Sequence, residues 1–248
     1  MASRLIINAD DLGNNEVVDQ TILANLYAGK VTSASIMANG ESFQKTSEIV
    51  RVEKLGNRIG VHLTLDEGAP LSEGMKRFTD FRGEMCLTRK LFIGNRDLLT
   101  AIYHELRAQI EHVIKHGISP SHLDSHRHFH VVFPIARIVI ALAKEYGIRY
   151  VRRARNLACR GNIPSRIYKV LFNAYLSSQI GTTDHFTDLF DFYQIYDDRC
   201  IVRGTLECMC HLDTSERGLR DQTLLQSPPF QEFISHYELV DYATLGIR

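Results

Sequence analysis

Four of the chain's eleven histidines fall within nine residues, in the run HLDSHRHFH at positions 122–130. One carboxylate and two imidazoles, with open positions left for water, is a common set for a catalytic divalent metal. Such a metal acidifies its water and polarises a carbonyl. His122 and Asp124 alternate along the chain, as do His126, His128 and His130. If the extended conformation persists, one face of that ribbon is lined with ligand-type side chains. Only one or two of them reach a single ion, which leaves the others to support ligands or touch substrate. Burying this many imidazoles for packing alone is costly, so the cluster reads as a site.

Other chemistry-bearing residues stand at the ends of apolar runs. Asp10 and Asp11 follow RLIINA, and His62 lies in VHLTL. Arg152 and Arg153 close IRYV, and His211 closes TLECMC. An acid beside a metal-binding acid can serve as a general base. The Asp10–Asp11 pair before Gly13 also reads as a turn and helix cap. On a strand the two would point opposite ways, and only a turning strand end lets both face one site. His62 taken alone reads more often as a hydrogen-bonded core histidine than as a ligand. Alternation puts Glu207, Met209 and His211 on one face of their segment, with Cys208 and Cys210 on the other as small core residues. With no second cysteine pair, a structural zinc site is disfavoured there. The Arg pair suits a substrate contact or the orientation of Asp10. GxGxxG, GxxxxGK[ST] and GxSxG are all absent, so nucleotide cofactors and a serine nucleophile elbow lack support.

Strand-like and helix-like segments alternate, which argues for a parallel α/β fold whose strand C-termini gather these residues on one face. Strands are expected at residues 4–9, 31–38, 58–65, 119–124, 148–152 and 204–212. Helices are expected from Asn14 or Asn15 to Tyr27, and at 41–55, 97–116, 133–146, 163–180 and 229–236. Two stretches break the pattern. Residues 66–94 form a long polar excursion of the kind that covers a ligand, and residues 181–203 resist assignment. Neither an internal repeat nor a domain linker is evident, so residues 1–248 read as a single domain.

The chain has 248 residues, 44% hydrophobic and 23% charged, with 29 basic and 29 acidic side chains. This is ordinary soluble globular composition, and the zero net charge demands no nucleic-acid or membrane partner. Seven Lys or Arg and no acid lie between Tyr146 and Thr183, with Tyr150, Tyr168, Phe172 and Tyr175 interleaved. Eight acids against two bases follow in residues 184–216 and offset them, so nucleic-acid binding is disfavoured. The longest apolar stretch, 131–143, is too short to span a bilayer and is broken by Pro134 and Arg137. An odd cysteine count (Cys86, Cys159, Cys200, Cys208, Cys210) and the lack of an apolar leader fit reduced thiols and a cytoplasmic location. A homodimer is the base-rate expectation for such a chain.

The runs LIINADDLG, VTSASIMANG, GVHLTL and HLDSHRHFH, in that order, resemble the YdjC/ChbG family of carbohydrate deacetylases. The resemblance extends from Leu5 to His211 with decreasing strength. It implies a distorted (β/α) barrel-like fold related to that of the NodB-type polysaccharide deacetylases. It also implies divalent-metal-dependent removal of N-acetyl groups from small sugars such as chitooligosaccharides. Carried over by motif, Asp11, His62 and His126 would be the metal ligands, Asp10 the general base and His211 the general acid. Arg152 would orient Asp10, while His122, Asp124 and His128 would be outer supports or substrate contacts. Leu12 stands where the family usually has Phe, and Leu212-Asp213 replaces Pro-Gly after His211. The ligand set admits magnesium, zinc or manganese. Two alternatives remain at this level: a metal-dependent hydrolase of another acyl or phosphoryl substrate, or a non-catalytic sugar-binding homologue.

Overall fold

The structure, a computed structural model, describes residues 3–88, 95–158, 162–195 and 201–246. Its frame is a parallel sheet. In chain order the strands are β1 (Arg4–Leu12), β2 (Ser33–Ile36), β3 (Ile59–Leu63), β4 (His122–Ser125), β5 (Tyr150–Val151), β6 (His185–Asp188), β7 (Thr205–Cys210) and β8 (Glu238–Leu239). Across the sheet they run β5-β4-β3-β2-β1-β7-β6, with β8 beside the start of β1. Leu5, Ile6, Ile7 and Ala9 of β1 are all fully buried, as a central parallel strand covered on both faces requires.

The sheet curls toward closure. Beyond its edges, Tyr150 bridges Gly181, and the Val151 N–H donates to the Gly181 carbonyl at 3.0 Å. The Asn156 N–H reaches the Phe186 carbonyl of β6 at 3.3 Å. The result is an incomplete parallel barrel whose strand C-termini gather at one end, as the alternation of elements predicts.

The helices are α1 (Glu16–Tyr27), α2 (Phe43–Val52), α3 (Arg96–Lys115), α4 (Phe133–Glu145), α5 (Ile163–Gln179), α6 (Leu189–Ile195), α7 (Glu216–Gln226) and α8 (Pro228–Ile234). Asn15 caps α1 by accepting from the amides of Val17 and Val18. Asn95 and Asn162 cap α3 and α5 in the same way. Each cap satisfies amides that the first turn leaves unpaired.

Several expectations are corrected. β1 runs three residues beyond residue 9, to Leu12. The unassigned stretch 181–203 holds β6 and α6, and α7 was not expected at all. The extended conformation does not persist through residues 126–130, because β4 stops at Ser125. A 3-10 segment, His126–Val131, follows, with Arg127 and His128 in the left-handed region at φ 47° and 56°. His126, His128 and His130 therefore do not line one face. The polar excursion carries a 3-10 turn, Glu73–Phe78, tied to α3 through buried Glu105, which accepts from the amides of Leu71 and Ser72. Its residues 89–94 lie outside the described residues, as do Cys159 and Cys200, while Cys86, Cys208 and Cys210 are free thiols. No helix among the described residues is long and apolar enough to cross a membrane.

Candidate active site

A bulge places the first two acids. Ala9 pairs with Ala34 and Leu12 with Ile36, so β1 carries one more residue than β2 over that interval. Asp11 takes φ 70° inside this irregularity. The extra residue cancels the strand's alternation, and both carboxylates meet His62. Asp11 Oδ1 lies 3.2 Å from His62 Nε2, and a ligand atom of Asp10 lies within 4.8 Å of one of His62.

His62 is buried on β3, and its Nδ1 lies 2.8 Å from Asp124 Oδ1 on β4. Burial opposes its charged form, but Asp124 and Asp11 outweigh that and hold its pKa well above the ordinary imidazole value. His126 follows β4 and is backed in the same way: its Nδ1 lies 2.9 Å from Asp66 Oδ1. Its Nε2 is 3.6 Å from Glu67 Oε2, and its ring centre is 6.0 Å from that of His62. Burial pulls the His126 pKa down, and Asp66 overcomes this to raise it. His211 enters from the end of β7, with Nε2 3.9 Å from Asp11 Oδ2. Its backbone N–H donates to Asp221 at 3.2 Å.

Beneath lies a buried charge hub. The Arg152 Nη1 and Nη2 donate to Asp10 at 2.8 and 2.7 Å, Nη1 also meets Asp124 Oδ2 at 2.7 Å, and Nε meets Glu207 at 2.6 Å. The guanidinium sits 5.0 Å above the Phe186 ring. Burial alone would raise the pKa of Asp10, but Arg152 reverses this and holds the carboxyl well below the usual range. Asp124 is lowered by the same contest, with His62 helping Arg152.

The tightest set of ligand atoms among the described residues is Asp10, His62 and Asp124, which lie within 4.8 Å of one another in a buried Asp-His-Asp cluster able to hold a metal ion. Arg152 already occupies both oxygens of Asp10 and one of Asp124. A second set lies one step outward. Asp11 Oδ1 is buried and faces His62 Nε2 at 3.2 Å. The Nδ1 of His62 and of His126 each meets a carboxylate, the arrangement that fixes a histidine's tautomer and leaves Nε2 as a metal ligand. By donor type Asp11, His62 and His126 match a divalent cation's ligand set, while among the described residues Asp10, His62 and Asp124 are the group whose ligand atoms all lie within 4.8 Å of one another.

Not every expected residue joins this centre. His122 sits at the start of β4, fully buried, with its ring stacked on Tyr242 at 3.9 Å. Burial lowers its pKa to about 3, against the pull of Asp124 and Asp10 nearby. His128 points to a neighbouring cavity, its ring 5.8 Å from that of Phe186. Asp66 was missed by sequence reasoning; the available signal was an acid just past the C-terminal end of the GVHLTL strand. Leu212 is buried, and Asp213 accepts from the Ser215 amide at 2.9 Å, so the substituted dipeptide leads in order into α7.

The fold and site define a parallel α/β barrel-like protein with acids and histidines at its strand ends, and comparisons give its kin. The YdjC-like protein family matches residues 4–242, and the chain belongs to that family. A carbohydrate deacetylase of Halalkalibacterium halodurans is 29% identical over 98% of this chain and 99% of its own length. One of Vibrio cholerae serotype O1 is 32% identical over 98% of this chain and 96% of its own. A crystal structure from Enterococcus faecalis V583, provisionally named a cellobiose-phosphate cleavage protein, superposes with a TM-score of 0.79 at 26% identity and covers 99% of both chains.

Proposed function

We propose that this chain is a metal-dependent hydrolase that removes N-acetyl groups from small amino sugars such as chitooligosaccharides. The observation that carries the reading is the convergence of two carboxylate-backed imidazoles, His62 and His126, with Asp11, whose Oδ1 faces His62 Nε2 at 3.2 Å. The relatives named carbohydrate deacetylases support the sugar amide.

Asp11, His62 and His126 are the ligands in this reading. A divalent cation held by them supplies Lewis acidity toward a carbonyl oxygen and an acidified water, which hydrolysis of an unactivated amide needs. Arg152 keeps Asp10 ionised at neutral pH, so Asp10 stands ready to accept a proton from the attacking water. Among the described residues its Oδ2 accepts hydrogen bonds only from Arg152, which leaves a lone pair for that proton. His211, near the opposite oxygen of Asp11, gives a proton to the departing amine.

One observation favours a variant of this reading in which the sugar carries an anionic group. A cavity of about 500 Å³ is lined by His128, Phe186 and Met209, and Arg153, Arg155, Lys169, Arg217 and Arg220 outnumber Asp188 and Asp191 in its wall. The cellobiose phosphate in the Enterococcus neighbour's name fits the same chemistry.

Acetate release from N,N′-diacetylchitobiose and its phosphorylated form, by metal-stripped protein and by protein resupplied with zinc, magnesium or manganese, tests both readings. Metal-restored release is expected. No release from either sugar, in protein shown to bind metal, overturns the deacetylase reading; equal turnover of both sugars overturns the anionic variant.

A further inference from the structure

We infer that Asp19, a buried carboxylate on α1 that touches none of the reacting groups, is the positioning residue that holds Asp11 in its metal-binding orientation. The inference rests on the reading of Asp11 as a ligand. A non-glycine residue at φ 70° is strained and persists only where its surroundings over-determine it. What fixes Asp11 must therefore act on the turn that follows it.

That turn is gripped from two sides. The Gly13 N–H donates to Asp19 Oδ1 at 2.6 Å, with Asp19 only 4% exposed. Its other oxygen, Oδ2, accepts from the hydroxyls of Ser42 and Thr46 at the start of α2. On the opposite side the Ser42 N–H donates to the Gly13 carbonyl at 3.1 Å. A Cβ on Gly40 would stand 2.1 Å from that carbonyl oxygen, so the two chains meet where only glycine fits. The Asn14 N–H then closes the turn onto the Asp11 carbonyl at 3.2 Å. Asp19 thus ties the peptide two residues past the ligand to two helices. Without the Gly13 bond, a buried amide loses its acceptor and Asp11 is free to leave the strained region.

The contrasting role is a plain clamp between α1 and α2, and the bonds separate the two. Asp19→Ala removes everything. Asp19→Asn keeps an oxygen for the Gly13 amide and hydrogens for the hydroxyls. Ser42→Ala with Thr46→Ala removes only the clamp. Zinc affinity by titration calorimetry and the visible absorption spectrum of cobalt-substituted protein read the ligand geometry, and thermal melting reads the fold. Asp19→Ala should weaken zinc binding by ~10–100-fold, the usual cost of removing an outer support of a ligand, and alter the cobalt spectrum. Asp19→Asn should bind like the native chain, and the Ser42/Thr46 double variant should melt lower yet keep its affinity and spectrum. If Asp19→Ala does not fold, Asp19→Ser, whose shorter side chain falls short of the Gly13 amide, carries the same expectation. A folded Asp19 variant lacking the Gly13 bond with native affinity and spectrum overturns the inference, as does an equal loss in the double variant. Asp11→Ala is measured alongside: undiminished zinc binding there overturns the ligand reading itself, whereas its loss with Asp19→Ala unaffected overturns only the role of Asp19.

Discussion

Arg152 grips both carboxylate oxygens of Asp10 across 142 residues of chain, at 2.8 and 2.7 Å. The same guanidinium meets Asp124 on β4 and Glu207 on β7, so one cation ties three strands together inside the barrel. Arg152→Ala would strand buried carboxylates without a partner, a change that costs ~3–5 kcal/mol. A urea unfolding curve should show that loss. Arg152→Lys keeps the charge but not the two-pronged geometry. It should fold, with acetate release down by ~100-fold, the lower end of what a positioned acid or base contributes. Native turnover in the Lys variant would mean that Asp10 does not depend on the fork.

Gly60 in GVHLTL owes its identity to packing. A Cβ there would stand 2.4 Å from Cε1 of His122, whose ring is pinned on Tyr242. Gly60→Ala must displace that stack at a cost of ~1–3 kcal/mol, the range for overpacked cores. The urea midpoint should fall accordingly, and an unchanged midpoint would show that the stack yields freely.

The sequence signals that worked were apolar runs punctuated by Asn and Gly: β1 with its Asn15-capped helix, β3, and α3 read directly. β6 and α7 were hidden because they bury polar groups, Thr187, Asp188 and Asp221 among them, and so lack a clean apolar period, while α6 is only seven residues long. Alternation put His122 and Asp124 on one face but carried no information on what each meets: Asp124 pairs with His62, and His122 stacks on Tyr242. The bulge at Asp11 and the left-handed pair Arg127–His128 had no glycine to announce them. Both are imposed by tertiary contacts, which is why alternation alone left open how the strand-end acids face the site and whether the HRHFH run stays extended.

Asp66 carries a prediction independent of chemistry. It accepts from His126 through one oxygen and meets Arg127 Nε at 2.7 Å through the other. Asp66→Ala should lower zinc affinity by ~10–100-fold, while His126→Ala should abolish metal binding and turnover together. Calorimetric titration of both variants checks the order, and equal affinity in Asp66→Ala and the native chain would remove Asp66 from the site.

Glu207 gives the barrel interior a pH dependence with a definite sign. Burial pushes its carboxyl up to about 7, against the pull of Arg152 and of the Tyr242 hydroxyl. An unfolded glutamate ionises near ~4.3. Between that value and about 7 the unfolded chain has released its proton and the folded chain has kept it. Stability from this group therefore falls as pH rises through that window and levels off above it. At 1.36 kcal/mol per pKa unit the full loss is on the order of 3 kcal/mol. Glu207→Gln keeps an oxygen for Arg152 Nε and never ionises, so it should match the native chain near pH 4.5 and exceed it increasingly toward pH 8. Urea midpoints of the two proteins across that range test it: a gap that stays constant with pH would mean that Glu207 is ionised in the folded barrel throughout, held by Arg152 rather than governed by burial.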